Sequence, residues 1–297
     1  MSSESRQARP TASGFPRPDS TDPRHGASSP PRVARVAGRA SAGWIPNQHG
    51  AWAMLAVPIA AGLTLGSDGS HYAPFLAACC VLGYFAFHAT SQWLKSAPVR
   101  RGRYRPAMLA YTALALGVGL IALVLGGWTL LHWLPPVVAL LVPALWLAQH
   151  RNERALLGGA LTTAAACLIT VILAYRSPAA LVADWPEAQT ALLLAVTLFG
   201  YFFGTVLHVK SLIRERGNPR IEGASTAWHL GWTALSVPLW GWFPGLIWAA
   251  IFAATTIRTV ALARRARRGP VRPLTIGLIE IALSTLVLAG VLVTTSN

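Results

Sequence analysis

The chain has 297 residues, of which 54% are hydrophobic and only 12% are charged, and its formal net charge is +15. Soluble domains carry about 25% charged residues, so this composition excludes an ordinary soluble domain and indicates that lipid surrounds much of the chain. The positive charge alone would also fit a protein that binds nucleic acid.

Residues 1–40 are rich in Ser, Pro, Arg and Gly and have almost no large apolar side chains. Such a segment cannot bury enough surface to offset its ordering entropy, so we expect a disordered basic tail followed by one membrane domain, residues 41–297. A signal peptide needs an apolar core close behind its charged start, and none occurs in this tail. We therefore expect the tail to lie in the cytoplasm beside anionic headgroups.

Nine apolar segments follow, each of about 17–23 residues, which is enough to cross the hydrocarbon layer as a helix. Helices are expected because lipid cannot satisfy free backbone groups. The predicted fold is an all-α polytopic membrane protein with nine transmembrane helices. The segments are 49–66, 72–94, 107–125, 128–148, 154–174, 189–209, 225–241, 245–263 and 273–294.

Basic residues are concentrated in every second connection between these segments. The basic connections are 95–106, 149–154, 210–224 and 264–272, whereas 175–188 contains Arg176 alone and 67–71, 126–127 and 242–244 contain no Lys or Arg. The positive-inside rule then predicts a cytoplasmic N-terminus and an outside C-terminus in a bacterial inner membrane. Because topology explains the charge, we expect no nucleic-acid partner; protein partners stay open.

The start of the first segment carries the motif Pro-Asn-Gln-His-Gly-Ala-Trp at residues 46–52. This motif, together with the stretch Leu207–Arg216, resembles the YwiC-like family of bacterial membrane proteins. The resemblance covers about residues 44–294. It implies a membrane location and no catalytic residues, since the family has no established activity. Asn47, Gln48 and His49 are candidates for lining a cleft at a helix start.

A basic turn occurs twice, at the ends of segments two and six. Residues Lys95, Arg101 and Arg105 recur 115 positions later as Lys210, Arg216 and Arg220. This recurrence predicts an internal repeat. Arg and Lys bind phosphate directly, so the turns are candidates for an anionic-lipid or lipid-phosphate site. The alternative is that they are ordinary basic flanks beside an anionic membrane surface.

The spacing of these turns, with nine helices and a cytoplasmic N-terminus, resembles the UbiA prenyltransferase superfamily. That resemblance implies a helical bundle with a cytoplasmic cleft between segments two and three and segments six and seven. It also implies aspartates that hold magnesium and a prenyl diphosphate. This chain departs from the pattern, because the 95–106 connection has no carboxylate and the 210–224 connection offers only Glu215 and Glu222.

Polar residues also lie inside the segments at helical spacing. Tyr84 and His88 share one face of segment two, and Tyr201 and His208 share one face of segment six with Thr205. Polar groups in membrane helices face protein or a water-filled cavity, so we expect these side chains to point inward. They could relay protons or bind haem; the plainer interpretation is helix–helix hydrogen bonding.

Arg258 and Glu280 are charged positions within the last two segments. Counted from the basic connection between them, both lie about 9–12 Å into their helices. An unpaired charge there costs at least about 2.5–3.5 kcal/mol, so we predict an intramembrane ion pair. The pair could be structural or part of a transport path.

No cofactor or metal site is predicted. Cys79, Cys80 and Cys167 lie in apolar runs without metal-ligand spacing, and we interpret them as small apolar side chains. Whether the protein is an enzyme stays open. Three functions remain: a binding protein for anionic lipid, a divergent transferase acting on a lipid phosphate, and a small-solute or proton-coupled transporter.

Overall fold

The computed structural model describes residues 42–46, 49–66, 70–152, 155–269 and 271–296. The predicted tail, residues 1–40, lies outside these ranges, as do Asn47 and Gln48; the side chain of His49 is also not described. Within them the fold is all-helical and no strand occurs. The nine long helices are α1 His49–Leu65, α2 Ala73–Lys95, α3 Arg105–Gly126, α4 Leu134–Gln149, α5 Leu156–Ala174, α6 Glu187–Val209, α7 Pro219–Trp240, α8 Trp242–Arg268 and α9 Pro273–Thr295.

Seven spans in the described part of the chain are long and apolar enough to cross a membrane. Helix α1 contributes a shorter apolar stretch, Ala51–Leu65, and the more polar α7 is not among the seven. Large apolar side chains are exposed on the outer helices, Leu116 and Leu120 of α3 among them. Lipid contact explains this exposure, and the protein is an all-helical membrane protein.

Each predicted segment corresponds to one helix, but three boundaries differ. Segment four begins as a 3-10 helix, Trp128–Trp133, and becomes α-helical only at Leu134. The next two residues are prolines, which fit the first turn of a helix because its N–H groups have no helical partner.

Helix α7 begins six residues earlier than predicted, within the supposed 210–224 connection. The Asn218 side chain accepts a hydrogen bond from the Arg220 N–H at 3.1 Å, and Pro219 occupies the first turn. The side-chain cap and the proline both favour a helix start at this position. The predicted start lies later because the residues that follow Pro219 include charged ones. Helix α8 likewise continues to Arg268, since Ala and Arg are good helix formers.

The helices pack in pairs around α6. Helix α2 packs with α3, α1 with α5, and α7 with α8, while α6 contacts α5 and α7, and α9 lies beside α1 and α8. The largest buried cluster joins α1, α5, α6, α8 and α9; its largest side chains are Tyr201, Phe202, Trp248 and Phe252. Helices α6, α8 and α9 therefore pack together with α1 and α5. Helix α2 packs mainly against α3.

Glycines allow the closest helix approaches. An added Cβ at Gly62 of α1 would lie 2.7 Å from the Leu173 Cβ of α5. At Gly200 of α6 it would lie 2.2 Å from the Trp232 ring of α7. Gly200 and Gly204, four residues apart, therefore form the face of α6 on which α7 packs directly.

Candidate functional site

The most polar part of the buried interior is an ion pair between α8 and α9. The Arg258 guanidinium donates through Nη1 to Glu280 Oε1, and each residue is only 6% exposed. The structure thus brings together the two charges that the sequence places at similar depth. Partnering of this kind is what makes buried charges tolerable in a low-dielectric interior.

Two further helices complete the coordination of this pair. The Thr205 hydroxyl of α6 donates to the other carboxylate oxygen, Glu280 Oε2, at 3.2 Å. Arg258 Nη2 lies 3.2 Å from His229 Nε2 of α7, and Arg258 Nε lies 3.5 Å from the Thr255 carbonyl. Both carboxylate oxygens and all three guanidinium nitrogens therefore have a neighbour within the helix group α6–α9.

The contacts of His229 determine its tautomer. Its Nδ1 lies 2.7 Å from the Ser225 carbonyl, which can only accept a hydrogen bond. Nδ1 must therefore carry the hydrogen, and Nε2 is left as an acceptor for the Arg258 N–H. An imidazole between a carbonyl and a guanidinium is thus held in its neutral form.

His208 of α6 lies beside this network without joining it. The side chain is fully buried, and neither ring nitrogen has a hydrogen-bond partner among the described residues. Two hydroxyl groups of the same helix group, Ser225 Oγ of α7 and Thr259 Oγ1 of α8, are also buried. Neither has a hydrogen-bond partner among the described residues. Buried polar groups without partners are uncommon in native proteins and call for an explanation.

Helices α6 and α9 make a second polar contact one turn away from the first. The Tyr201 hydroxyl lies 3.3 Å from Ser284 Oγ, four residues from Thr205 on α6 and four from Glu280 on α9. The two contacts show that these helices run antiparallel in register. Tyr201, Thr205 and His208 therefore face the same buried region.

A stripe of buried polar residues on α7 connects this region to the N-terminal end of that helix. Glu222, Ser225 and His229 are spaced by three and four residues and are all buried. Gly204 makes room for the stripe, because a Cβ there would lie 2.8 Å from His229 Nε2. At the start of α7, Glu222 Oε2 accepts a hydrogen bond from Arg267 Nη2 at 2.5 Å.

Around that end, the connection between α6 and α7 meets the connection between α8 and α9. Arg216 Nε donates to the Ala266 carbonyl at 2.9 Å, and Leu212, Ala266 and Ile276 form a small apolar cluster. The exposed arginines of these two connections and of the adjoining ends of α7 and α8 form what we term the basic end. Its members are Arg214, Arg216, Arg220, Arg264, Arg265, Arg267, Arg268 and Arg272.

The six residues of the predicted anion site are distributed over two regions. Lys95, Arg101 and Arg105 belong to the α2–α3 pair, and Arg101 lies 4.9 Å above the Trp93 ring while Nε donates to the Ser96 carbonyl. In the other copy, Lys210 pairs with Glu215 at 3.2 Å, Arg216 is held by Ala266, and Arg220 is exposed. The contacts of this second copy with other helices come from α8 and α9.

The Asn218 amide and the Lys210 ammonium together lower the pKa of the exposed Glu215 carboxyl, because both bind its charged form. The Asn218 contact, Nδ2 to Glu215 Oε2, measures 2.8 Å. Glu215 is therefore ionised, and its carboxylate is bound by Asn218 and Lys210. Among the described residues, the two acids of this region, Glu215 and Glu222, are paired with Lys210 and Arg267 and with none of its other basic residues.

The two predicted Tyr/His stripes differ in their surroundings. Tyr201 and His208 are fully buried in the α6–α9 group, as described above. Tyr84 and His88 on α2 are half-buried, and Tyr84 packs against a buried cluster that includes Leu55 of α1. The stripes lie in differently packed helix groups, and in the described ranges no three His, Cys, Asp or Glu side chains cluster as metal ligands.

His229 and the Glu222–Arg267 pair are absent from the sequence-based site. The signal for them was available, because Glu222, Ser225, His229 and Ser236 share one face of a helix. It was missed because the helix was expected to begin at residue 225, which left Glu222 in a connection. Arg267 was likewise assigned to a connection and not to α8.

Comparison with known proteins gives two matches. Residues 45–174 match the model of the YwiC-like protein family, a stretch that ends with α5. An uncharacterised protein of Haemophilus influenzae is 27% identical over 259 residues, covering 84% of this chain and 98% of that protein. No solved structure matches.

The family match covers α1–α5, whereas the buried charge network lies in α6–α9, which only the longer alignment with the relative reaches. The match includes the Pro-Asn-Gln-His-Gly-Ala-Trp motif but not the stretch Leu207–Arg216. Over residues 45–174, the chain is similar to the YwiC-like protein family, as its sequence motif predicts.

Proposed function

We propose that this protein crosses a bacterial inner membrane nine times and binds the phosphate of an anionic lipid at the basic end. In this arrangement the N-terminus is cytoplasmic, the C-terminus is outside, and the helices form two related groups in a UbiA-like bundle. The alternation of basic and neutral connections supports the orientation. The counts of helices and connections agree with it, since nine consecutive crossings bring all four basic connections to one side.

The observation that carries the proposal is the excess of exposed arginine where two connections meet. The stretch 210–224 contains two acidic residues, Glu215 and Glu222, and the stretch 264–272 contains none. Both are already paired, with Lys210 and Arg267. The other arginines can therefore present their N–H groups to phosphate oxygens, a geometry that a guanidinium fits well.

The α2–α3 connection would supply a second contact with anionic headgroups, separate from the basic end. Lys95, Arg101 and Arg105 would contact headgroups on the same side of the membrane, next to the α2–α3 pair. Contact with anionic headgroups is worth about 1 kcal/mol for each basic residue near the surface. Several arginines acting together would therefore give a measurable preference for anionic over zwitterionic lipid.

Native mass spectrometry of the purified full chain would test this proposal. We expect more retained phosphatidylglycerol than phosphatidylcholine when both are supplied in equal amounts. Replacing Arg220, Arg265 and Arg268 by Gln should abolish most of that preference. Arg176→Gln is the matched control, because Arg176 is exposed but lies in the single-arginine connection between α5 and α6.

Three outcomes distinguish the alternatives. Loss of the preference in the triple variant but not in the control supports binding at the basic end. Equal retention of both lipids by the unaltered protein contradicts it. Retention of a polyprenyl phosphate, released by the same triple substitution, would favour the lipid-phosphate transferase over a protein that binds ordinary phospholipid.

A further inference from the structure

We propose that the buried network of α6–α9 contains a proton-exchange site, in which His208 passes a proton through the Thr205 hydroxyl to Glu280. The site is separate from the basic end and does not depend on lipid binding. The ligand is the proton itself. The proposal rests on the burial, the partners and the spacing of these three side chains.

His208 is the residue that a purely structural network does not explain. It is fully buried with two unpartnered ring nitrogens in the described part of the chain. A buried imidazole that only fills space leaves a donor and an acceptor unsatisfied, which costs about 1–3 kcal/mol for each group. Because neither nitrogen is bound, no hydrogen bond joins His208 to Thr205 in this structure, and the relay requires the imidazole to turn towards the Thr205 hydroxyl.

Thr205 connects His208 to the carboxylate. The two residues are three positions apart on α6, so their side chains are neighbours on one helix face. Thr205 Oγ1 already donates its hydrogen to Glu280 Oε2 at 3.2 Å. The hydroxyl can therefore receive a hydrogen on one side while it gives one up on the other.

The transfer balances without any further reactant. The N–H bond of the His208 imidazolium breaks, and its proton forms a new O–H bond with Thr205 Oγ. The original Thr205 O–H bond breaks, and that hydrogen forms an O–H bond with Glu280 Oε2. The products are a neutral imidazole, an unchanged threonine and a neutral carboxylic acid.

Arg258 is the positioning residue of this site. While Glu280 is ionised, the guanidinium balances its charge through Oε1. After protonation, Arg258 keeps its contacts with His229 Nε2 and the Thr255 carbonyl, so the cation retains two acceptors. The neutral tautomer of His229 serves this purpose, because an imidazolium could not accept a hydrogen bond from arginine.

The groups that face Glu280 come from three helices. Helix α8 contributes Arg258, α7 contributes His229, and α6 contributes Tyr201 and His208 next to Thr205. Helix α1 also packs against α9, but residues 51–65 of α1 contain no titratable side chain. Since His208 is the one imidazole of this group that lacks partners within the described ranges, we assign the proton entry to it.

Infrared spectroscopy of the full chain in phosphatidylethanolamine–phosphatidylglycerol vesicles would test the site. After a downward pH jump, we expect a carboxylic-acid C=O band to appear. The band should shift in Glu280→Asp, which keeps the acid, and should be unchanged in Glu222→Gln, which removes the other buried carboxylate of the group. These variants assign the band even if loss of Glu280 impairs folding.

The relay is tested by the rate at which this band appears. His208→Gln and Thr205→Val should each slow its appearance at least tenfold while leaving its final size unchanged; a packing role would not alter the rate in this selective way. His132→Gln, at an exposed histidine, is the control. Absence of the band at every pH at which the helical circular dichroism is retained would overturn the proposal, and so would rates in both relay variants equal to that of the unaltered protein.

Discussion

At the scale of single residues, a few side chains account for the polarity of the interior. Counting helical rise from a basic connection placed Arg258 and Glu280 at similar depth, and the structure pairs them. The sequence could indicate depth because charge is rare in these helices. It did not indicate His229 as a further partner, because the helix was expected to begin at residue 225 and its polar face was not traced back to Glu222.

Breaking the Arg258–Glu280 pair should destabilise the protein more than removing both charges. Arg258→Met leaves an uncompensated buried carboxylate, and we expect a loss of about 3–5 kcal/mol in the free energy of unfolding. Arg258→Met combined with Glu280→Met should recover most of this loss. Equilibrium unfolding in mixed detergent micelles measures both variants; a double variant no more stable than the single one would contradict the pairing energy.

Glu215 should be the most pH-sensitive group at the end of α6. Its folded pKa is depressed by Asn218 and Lys210, so these contacts stabilise the folded state above the ordinary glutamate pKa. The stabilisation is lost as the pH falls through the folded pKa. Carbon-13 NMR of labelled glutamate should show that Asn218→Ala raises the Glu215 pKa, and that Lys210→Met does so less.

At the scale of helices, the prediction succeeded where apolar length decided the boundary. Helices α2, α5 and α9 lie within two residues of their predicted bounds at each end. The failures are α7 and the end of α8, where charged residues continue the helix beyond the apolar stretch. There the Asn218 cap and the helix propensity of arginine determine where the helix begins or ends. Neither feature is part of an apolar segment.

The α6–α7 contact should be intolerant of even one added methyl group. Gly200→Ala would place a Cβ against the Trp232 ring and displace the Trp228 Nε1–Gly200 carbonyl bond of 2.7 Å. We expect a loss of about 1–3 kcal/mol, the usual effect of overpacking. Gly231→Ala is the matched control on α7, because its Cβ meets no described atom within 4 Å. Thermal unfolding in micelles should separate the two; equal melting temperatures would argue against the close approach.

At the scale of the whole molecule, the sequence predicts a sidedness but no lateral arrangement. Charge alternation along the chain predicts which helix ends share a side, because each crossing reverses direction. It does not predict which ends are neighbours. The UbiA resemblance implies a cleft between the two helix pairs that carry the basic turns; the contact that the structure shows for the Lys210 turn is with the end of α8.

Cysteine labelling from outside intact cells should reveal the predicted sidedness. In a chain with its three native cysteines replaced by alanine, Arg176→Cys should react with a membrane-impermeant maleimide. Arg105→Cys and Arg220→Cys, both exposed in the structure, should react only after the membrane is permeabilised. Reaction of position 105 and position 220 on opposite sides would disprove the nine-crossing arrangement.

The wide turn at the end of α6 has a mechanical consequence. Residues Lys210–Arg214 form a π-helix, in which the Glu215 N–H donates to the Lys210 carbonyl at 3.0 Å. The π-turn holds one residue more than an α-helical turn, and this extra residue rotates the chain that follows by about 100°. Converting the segment to an α-helical winding would swing Arg216 away from the Ala266 carbonyl. The winding of this turn therefore holds the end of α6 to α8, because a change of winding would break the Arg216–Ala266 hydrogen bond.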